Sequence, residues 1–104
     1  MSMPAAKSDD RYAVSRADWR GIGLEIRHCA NWCAMVGMDH IELVSIERVP
    51  LPITQTGYKS HFISPERIAE IGTPVEYALA WLDHEAESAE WKKVEFEARQ
   101  LSLF

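Results

Sequence analysis

YKSHFISPERIAEIGTPVEYALAWL, residues 58–82, changes its hydrophobic period part-way along. Tyr58, Ser60 and Phe62 alternate with Lys59, His61 and Ile63, and a period of two is what a strand needs to send successive side chains to opposite faces. Aromatic residues at such alternate positions are expected to enter the core, which leaves Lys59 and His61 facing water. Ser64 then stands before Pro65 and Glu66: an N-cap oxygen, a proline where no backbone donor is needed, and an acid in the first turn. Gly72 supplies a stop, so the spacing predicts a helix of two turns. Thr73-Pro74-Val75-Glu76 repeats the start signal as a capping box, in which threonine accepts from the Glu76 N–H and the glutamate reaches back. Val75, Ala78, Leu79 and Leu82 fall at i, i+3, i+4 and i+7 with Trp81 flanking them, so the second helix has a stripe to lay on a sheet. A strand that leads into two capped helices predicts an α+β domain.

Upstream, Ile22, Leu24, Ile26 and His28 alternate with Gly23, Glu25 and Arg27, a second strand that starts from Gly21. A break around Ala30, Asn31 and Gly37 separates it from a third, His40 to Arg48, whose phase changes at Leu43 and Val44 as at a bulge. Pro50 and Pro52 remove backbone donors, so the stretch from Val49 to Gly57 is a connection and not a central strand. Residues 1–12 mix small, charged and turn-forming types without a period and are expected to form a flexible N-terminal arm. Downstream of Asp83 the apolar positions thin to alanines, Trp91, Val94 and Phe96, while Glu90 with Lys93 and Glu95 with Arg99 support a solvated helix. Unbroken from Pro74 to Ala98, that helix would be about 37 Å long, more than a domain this small covers, so its distal half is expected to project or bend. The expectation is one domain over residues 13–99: a small antiparallel sheet of about three strands, packed by a short helix and a long C-terminal helix.

The 104 residues, 47% hydrophobic and 26% charged, are enough for one core without a metal or disulfide staple. A net charge of -5 opposes general attraction to phosphate, and Asp83, Glu85, Glu87, Glu90, Glu95 and Glu97 concentrate the acidity near the C-terminus. No apolar run reaches membrane-spanning length and no leader pattern opens the chain, so a cytoplasmic location is expected. Cys29 and Cys33 are too few for a disulfide framework and read as free thiols.

Several clusters bear on chemistry. His28, Cys29, Cys33 and His40 supply zinc-type donors, but without paired knuckle spacing, and His28 and Cys29 as strand neighbours point to opposite faces; no metal and no cofactor is expected. Asp39-His40 and Asp83-His84-Glu85 read as solvated charge, because adjacent residues diverge and do not form a dyad. Cys33 lacks any sign of a lowered pKa or an oxyanion hole, and no phosphate-binding glycine loop is present, so no enzyme is expected. Tyr58, Lys59 and His61, with Phe62, form an aromatic and basic group of the kind that stacks a base and touches phosphate, the candidate for weak binding of single-stranded nucleic acid.

The chain ends Gln100-Leu101-Ser102-Leu103-Phe104. This pentapeptide resembles, at every position, the peptide by which bacterial polymerases, repair proteins and initiator regulators dock on the ring-shaped DNA sliding clamp. The resemblance implies that Gln100 enters a small polar pocket, that Leu101, Leu103 and Phe104 enter apolar clefts, and that Ser102 faces outward. Each apolar anchor is worth roughly 1.5–3 kcal/mol on full burial. It also implies a partner, the sliding clamp, and a non-enzymatic adaptor or modulator in DNA replication, with residues 100–104 as its docking peptide. A different reading of the same residues continues the helix, since Val94, Ala98 and Leu101 share its spacing. PLPITQTGYKSHFI, residues 50–63, is similar to small proteins carried on plasmids and other mobile elements of alphaproteobacteria. That resemblance implies an accessory or anti-defence protein that acts by binding another host protein.

Overall fold

The computed structural model describes residues 11–33 and 35–102; the side chains of residues 98–102, and Leu103 and Phe104 altogether, lie outside the described residues. Four strands, β1 (Ala13–Trp19), β2 (Ile22–Cys33), β3 (Met38–Ser45) and β4 (Tyr58–Ile63), precede three helices, α1 (Pro65–Ile71), α2 (Pro74–Glu85) and α3 (Ala89–Ser102). The strands form one antiparallel sheet in the order β1-β2-β3-β4. The fold is α+β as expected, with four strands where about three were expected and two helices where one long C-terminal helix was.

The additional strand is β1. Its two-residue link to β2, Arg20-Gly21, has positive φ at both positions (52° and 87°), the backbone twist that suits a tight hairpin. The Gly21 N–H donates to Asp18 Oδ1 at 2.9 Å and holds the turn. At the other end of β2 the register slips: Cys29 pairs with His40 and Cys33 with Met38, so β2 carries a bulge. Asn31 takes a positive φ of 55° there, and its N–H donates to Asp39 Oδ1 at 2.7 Å.

Side chains directly opposed across an antiparallel pair share a face. The register therefore puts Trp19, Leu24, Ile26, Ile41, Leu43 and Ile63 on one face, and these join Ile68 of α1, Ala78 and Leu82 of α2, Ala86 and Trp91 in a single core. Both helix starts form as the sequence specifies. Ser64 Oγ accepts from Arg67 N at 3.4 Å, and in the capping box Thr73 Oγ1 accepts from Glu76 N at 3.1 Å while Glu76 Oε1 accepts from Thr73 N at 3.0 Å.

The expected long helix breaks at residues 86–88. Ala86 buries its methyl in the core, and Ser88 Oγ accepts from Trp91 N at 3.1 Å, a fresh N-cap that starts α3. Trp91 is the buried residue of α3 among those whose side chains are described, and it packs on Trp19 with ring centroids 5.8 Å apart. Arg20 adds an ion pair to Glu95 at 3.1 Å. No helix of the described residues is long and apolar enough to cross a membrane.

Candidate functional site

The opposite face of the sheet receives no helix among the described residues. The register assigns it Val14 and Arg16 of β1, Glu25, Arg27 and Cys29 of β2, His40, Glu42 and Val44 of β3, and Tyr58, Ser60 and Phe62 of β4. At one end lies an aromatic cluster. Trp32 emerges from the β2 bulge and meets Phe62 at 4.9 Å between ring centroids; His40 lies 4.7 Å from Phe62 and 5.9 Å from Trp32, and Tyr12 stands edge-on to His40 at 5.8 Å.

His40 is the buried centre of this cluster. It is 7% exposed, yet both ring nitrogens are engaged: Nδ1 with Tyr12 Oη at 2.6 Å and Nε2 with Ser60 Oγ at 2.9 Å. A neutral imidazole has one donor and one acceptor nitrogen, and either hydroxyl takes whichever role the tautomer leaves, so this buried polar ring is fully satisfied. Around it the hydrocarbon is open: Trp32 is 41% and Phe62 46% exposed, and Met35 and Val36 project from the adjoining β2–β3 turn. Large rings half in solvent beside a satisfied buried histidine make an ordered apolar platform.

The other end of the face carries a charge network. Glu25 pairs with Arg27 at 2.7 Å and with Arg16 at 3.5 Å, and Arg27 reaches Glu42 at 3.7 Å. The Tyr58 hydroxyl donates to Glu42 Oε2 at 2.9 Å. Burial first, and then the Glu42 hydrogen bond and charge, raise the Tyr58 pKa above its ordinary 10.0 and keep the phenol protonated.

The three residues expected to meet nucleic acid are divided between the faces. Tyr58 lies on the open face, whereas Lys59 and His61 lie on the helix side, half-buried. The expectation that the rings of β4 point inward and Lys59 and His61 outward is reversed. His61 stacks on Trp81 of α2 at 4.8 Å, and its pKa falls below the usual 6.5 through burial first, then through Lys59 and His40.

Asp39 and His40 are corrected as well: they are buried, not solvated, and they part to opposite faces. Asp39 faces His28, whose Nε2 is 2.8 Å from Asp39 Oδ2. Asp83 and His84 stay at the surface, where Asp83 Oδ1 accepts from the Trp19 indole at 2.8 Å; contrary to the expectation that adjacent residues diverge, His84 Nδ1 lies 3.3 Å from Glu85 Oε2. Cys29 is buried and Cys33 half-buried, both free thiols. Among the described residues no group of three or more His, Cys, Asp or Glu is placed to hold a metal.

Of the arm expected over residues 1–12, residues 1–10 lie outside the described residues, and Tyr12 is bonded to His40. In the tail, α3 carries a helical backbone through Gln100, Leu101 and Ser102, while Leu103 and Phe104 lie outside the described residues. Tyr12 and Trp32, half of the aromatic cluster, were not singled out by sequence. Tyr12 follows a stretch without period, and Trp32 sits in a bulge where alternation fails. A Trp in a gap between strands was the available signal.

A search of curated proteins and one of solved structures found no match. A family model does match, that of the KlcB third domain, over residues 12–91. The span begins at Tyr12 and takes in the whole sheet, α1, α2 and Trp91, so it includes both the core and the aromatic face. The family is a plasmid-associated, accessory one, in line with the mobile-element resemblance of residues 50–63, and it says nothing of a sliding clamp. The chain belongs to the family of the KlcB third domain.

Proposed function

We propose that the chain is a non-enzymatic, protein-binding module of a plasmid-borne accessory protein, and that it binds through the helix-free face of its sheet. The observation that carries this reading is the half-exposed pair Trp32 and Phe62 over the buried, doubly bonded His40. Aromatic anchors held rigid before binding lose little entropy on docking and dominate interface energies. A protein partner is favoured over single-stranded nucleic acid because Arg16 and Arg27 are matched by Glu25 and Glu42, and Glu42 stands beside Tyr58 where a phosphate would have to pass. The test is affinity capture from lysate of a plasmid-bearing host, comparing the chain with its Trp32→Ala/Phe62→Ala variant, with retention on oligonucleotides measured in parallel. Proteins captured by the first and lost by the second support the reading; equal capture by both, or salt-sensitive retention of oligonucleotide that the variant loses, refutes it.

A second reading rests on Gln100-Leu101-Ser102-Leu103-Phe104: the tail docks on the bacterial sliding clamp and either recruits the domain to replicating DNA or competes with polymerases. Docking in extended form requires the last turn of α3 to unwind, and that turn lies beyond Trp91, the buried residue among those of the helix whose side chains are described. A peptide of residues 89–104 should bind purified clamp, and the same peptide with Leu101, Leu103 and Phe104 changed to alanine should not. Equal binding by the two peptides, or none, removes this reading.

A further inference from the structure

The sheet has two outer edges, and they differ. On β1 the charged side chains already have partners within the domain: Arg16 pairs with Glu25, and Asp18 accepts from the Gly21 N–H of the hairpin turn. On β4, Tyr58 and Phe62 lie half-exposed on the open face and Lys59 half-buried on the helix side. Among the described residues the backbone of Tyr58–Ile63 bonds to no strand but β3. Lys59 has no ion pair there: its neighbour across β3 is Leu43, and the helix-side neighbours on its own strand are His61 and Ile63. Among the described residues the β4 edge thus combines backbone groups that pair with no further strand, though the Tyr58 carbonyl accepts from Thr56 Oγ1 at 3.4 Å, with two rings on one side and a cation without an ion pair on the other.

We infer that β4 is a docking edge for an extended segment of a partner protein, which adds to the sheet as a fifth strand. The segment carries an acidic residue opposite Lys59 and apolar residues opposite Tyr58 and Phe62. Main-chain hydrogen bonds to the edge supply general affinity, and alternate side chains supply selectivity. Cross-strand pairs set the sequence: an apolar residue beside Phe62 extends the Trp32–Phe62 platform by one more side chain, and a carboxylate beside Lys59 supplies an ion pair that none of the described residues provides. This inference rests on the protein-binding reading above and adds the edge, the geometry and the charge of the ligand.

The test is an NMR titration of the 15N-labelled chain with a capped peptide of alternating valine and glutamate, beside a version with lysine for glutamate and beside a thymidine oligonucleotide. The expected result is slowed hydrogen exchange at alternate backbone amides of Tyr58–Ile63, an affinity roughly two- to fivefold weaker for Lys59→Gln, and weaker binding of the lysine peptide. Peptide shifts confined to Trp32, His40 and Phe62 without slowed exchange in β4 would overturn strand addition and leave the face reading intact. Protection of β1 amides instead, equal binding of both peptides, binding by the oligonucleotide alone, or no binding at all would also overturn it. The capture experiment with Trp32→Ala/Phe62→Ala judges the face reading separately.

Discussion

The two faces of the sheet are built from alternate residues of the same strands, yet they do different work. On the helix side, Leu24, Ile26, Ile41 and Leu43 are at most 1% exposed and lock against Ala78 and Leu82; on the other, the large apolar side chains remain half in solvent and the interior is held by polar bonds. Burial of one aliphatic side chain is worth roughly 1.5–3 kcal/mol, so the first face drives folding. The second face keeps its shape through Tyr12, His40 and Ser60 and through the Arg16, Glu25, Arg27 and Glu42 network, interactions that cost little hydrophobic surface. Among the described residues Trp32 and Phe62 stay half in solvent while the core is complete, and the proposed binding role rests on that contrast.

Matched truncations break or sharpen this contrast. The largest effect is expected on the helix side: Leu43→Ala should lose about 2–5 kcal/mol in a chemical denaturation, since it opens a cavity in the core. At the helix layer's edge, Thr73→Ala removes one half of the capping box and should cost about 1 kcal/mol. On the open face, Phe62→Ala should cost less than about 1 kcal/mol, because half of the ring is already in water. A Phe62→Ala loss as large as that of Leu43→Ala would mean that the open face is a second core.

The smallest effect is a pH dependence through His61. Its folded pKa lies below the unfolded 6.5, so the unfolded chain takes up the proton first. The contribution of a neutral His61 is therefore complete above the unfolded value and is lost as pH falls through the depressed folded one. Denaturation curves between about pH 8 and about pH 5 should show declining stability, and His61→Gln should flatten part of that decline. A decline unchanged in the variant would assign it to other groups.

Much of the helix side was legible in sequence because each of its signals is local. Ser64-Pro65, Gly72 and the Thr73 to Glu76 capping box fix two helix starts and a stop, and the Val75 to Leu82 stripe fixes which side of α2 meets the sheet. β1 was not legible: Ala13, Ser15 and Ala17 are too small to mark a buried face, and Arg20-Gly21 lacks the Asn-Gly or Asp-Gly signature of a tight hairpin. The break between α2 and α3 depends on Ser88, a single cap without the glutamate three residues on that would have announced it. The facing of β4 was reversed because alternation defines two faces but not which is covered. That choice falls to the register with β3, where Ile41 and Leu43 bring His61 and Lys59 to the helix side. The aromatic site was illegible for the same reason, since Tyr12, Trp32, His40 and Phe62 come from the residue before β1, a bulge and two strands that meet only in the folded sheet.

The contrast between the faces is tested most directly by a photo-crosslinking amino acid placed in turn at Phe62, on the open face, and at Ala80, exposed on the outer side of α2. In plasmid-bearing cells, position 62 should capture a discrete protein and position 80 should not. Capture from position 80 alone, or from neither position, would contradict the assignment of the open face as the binding surface of this domain.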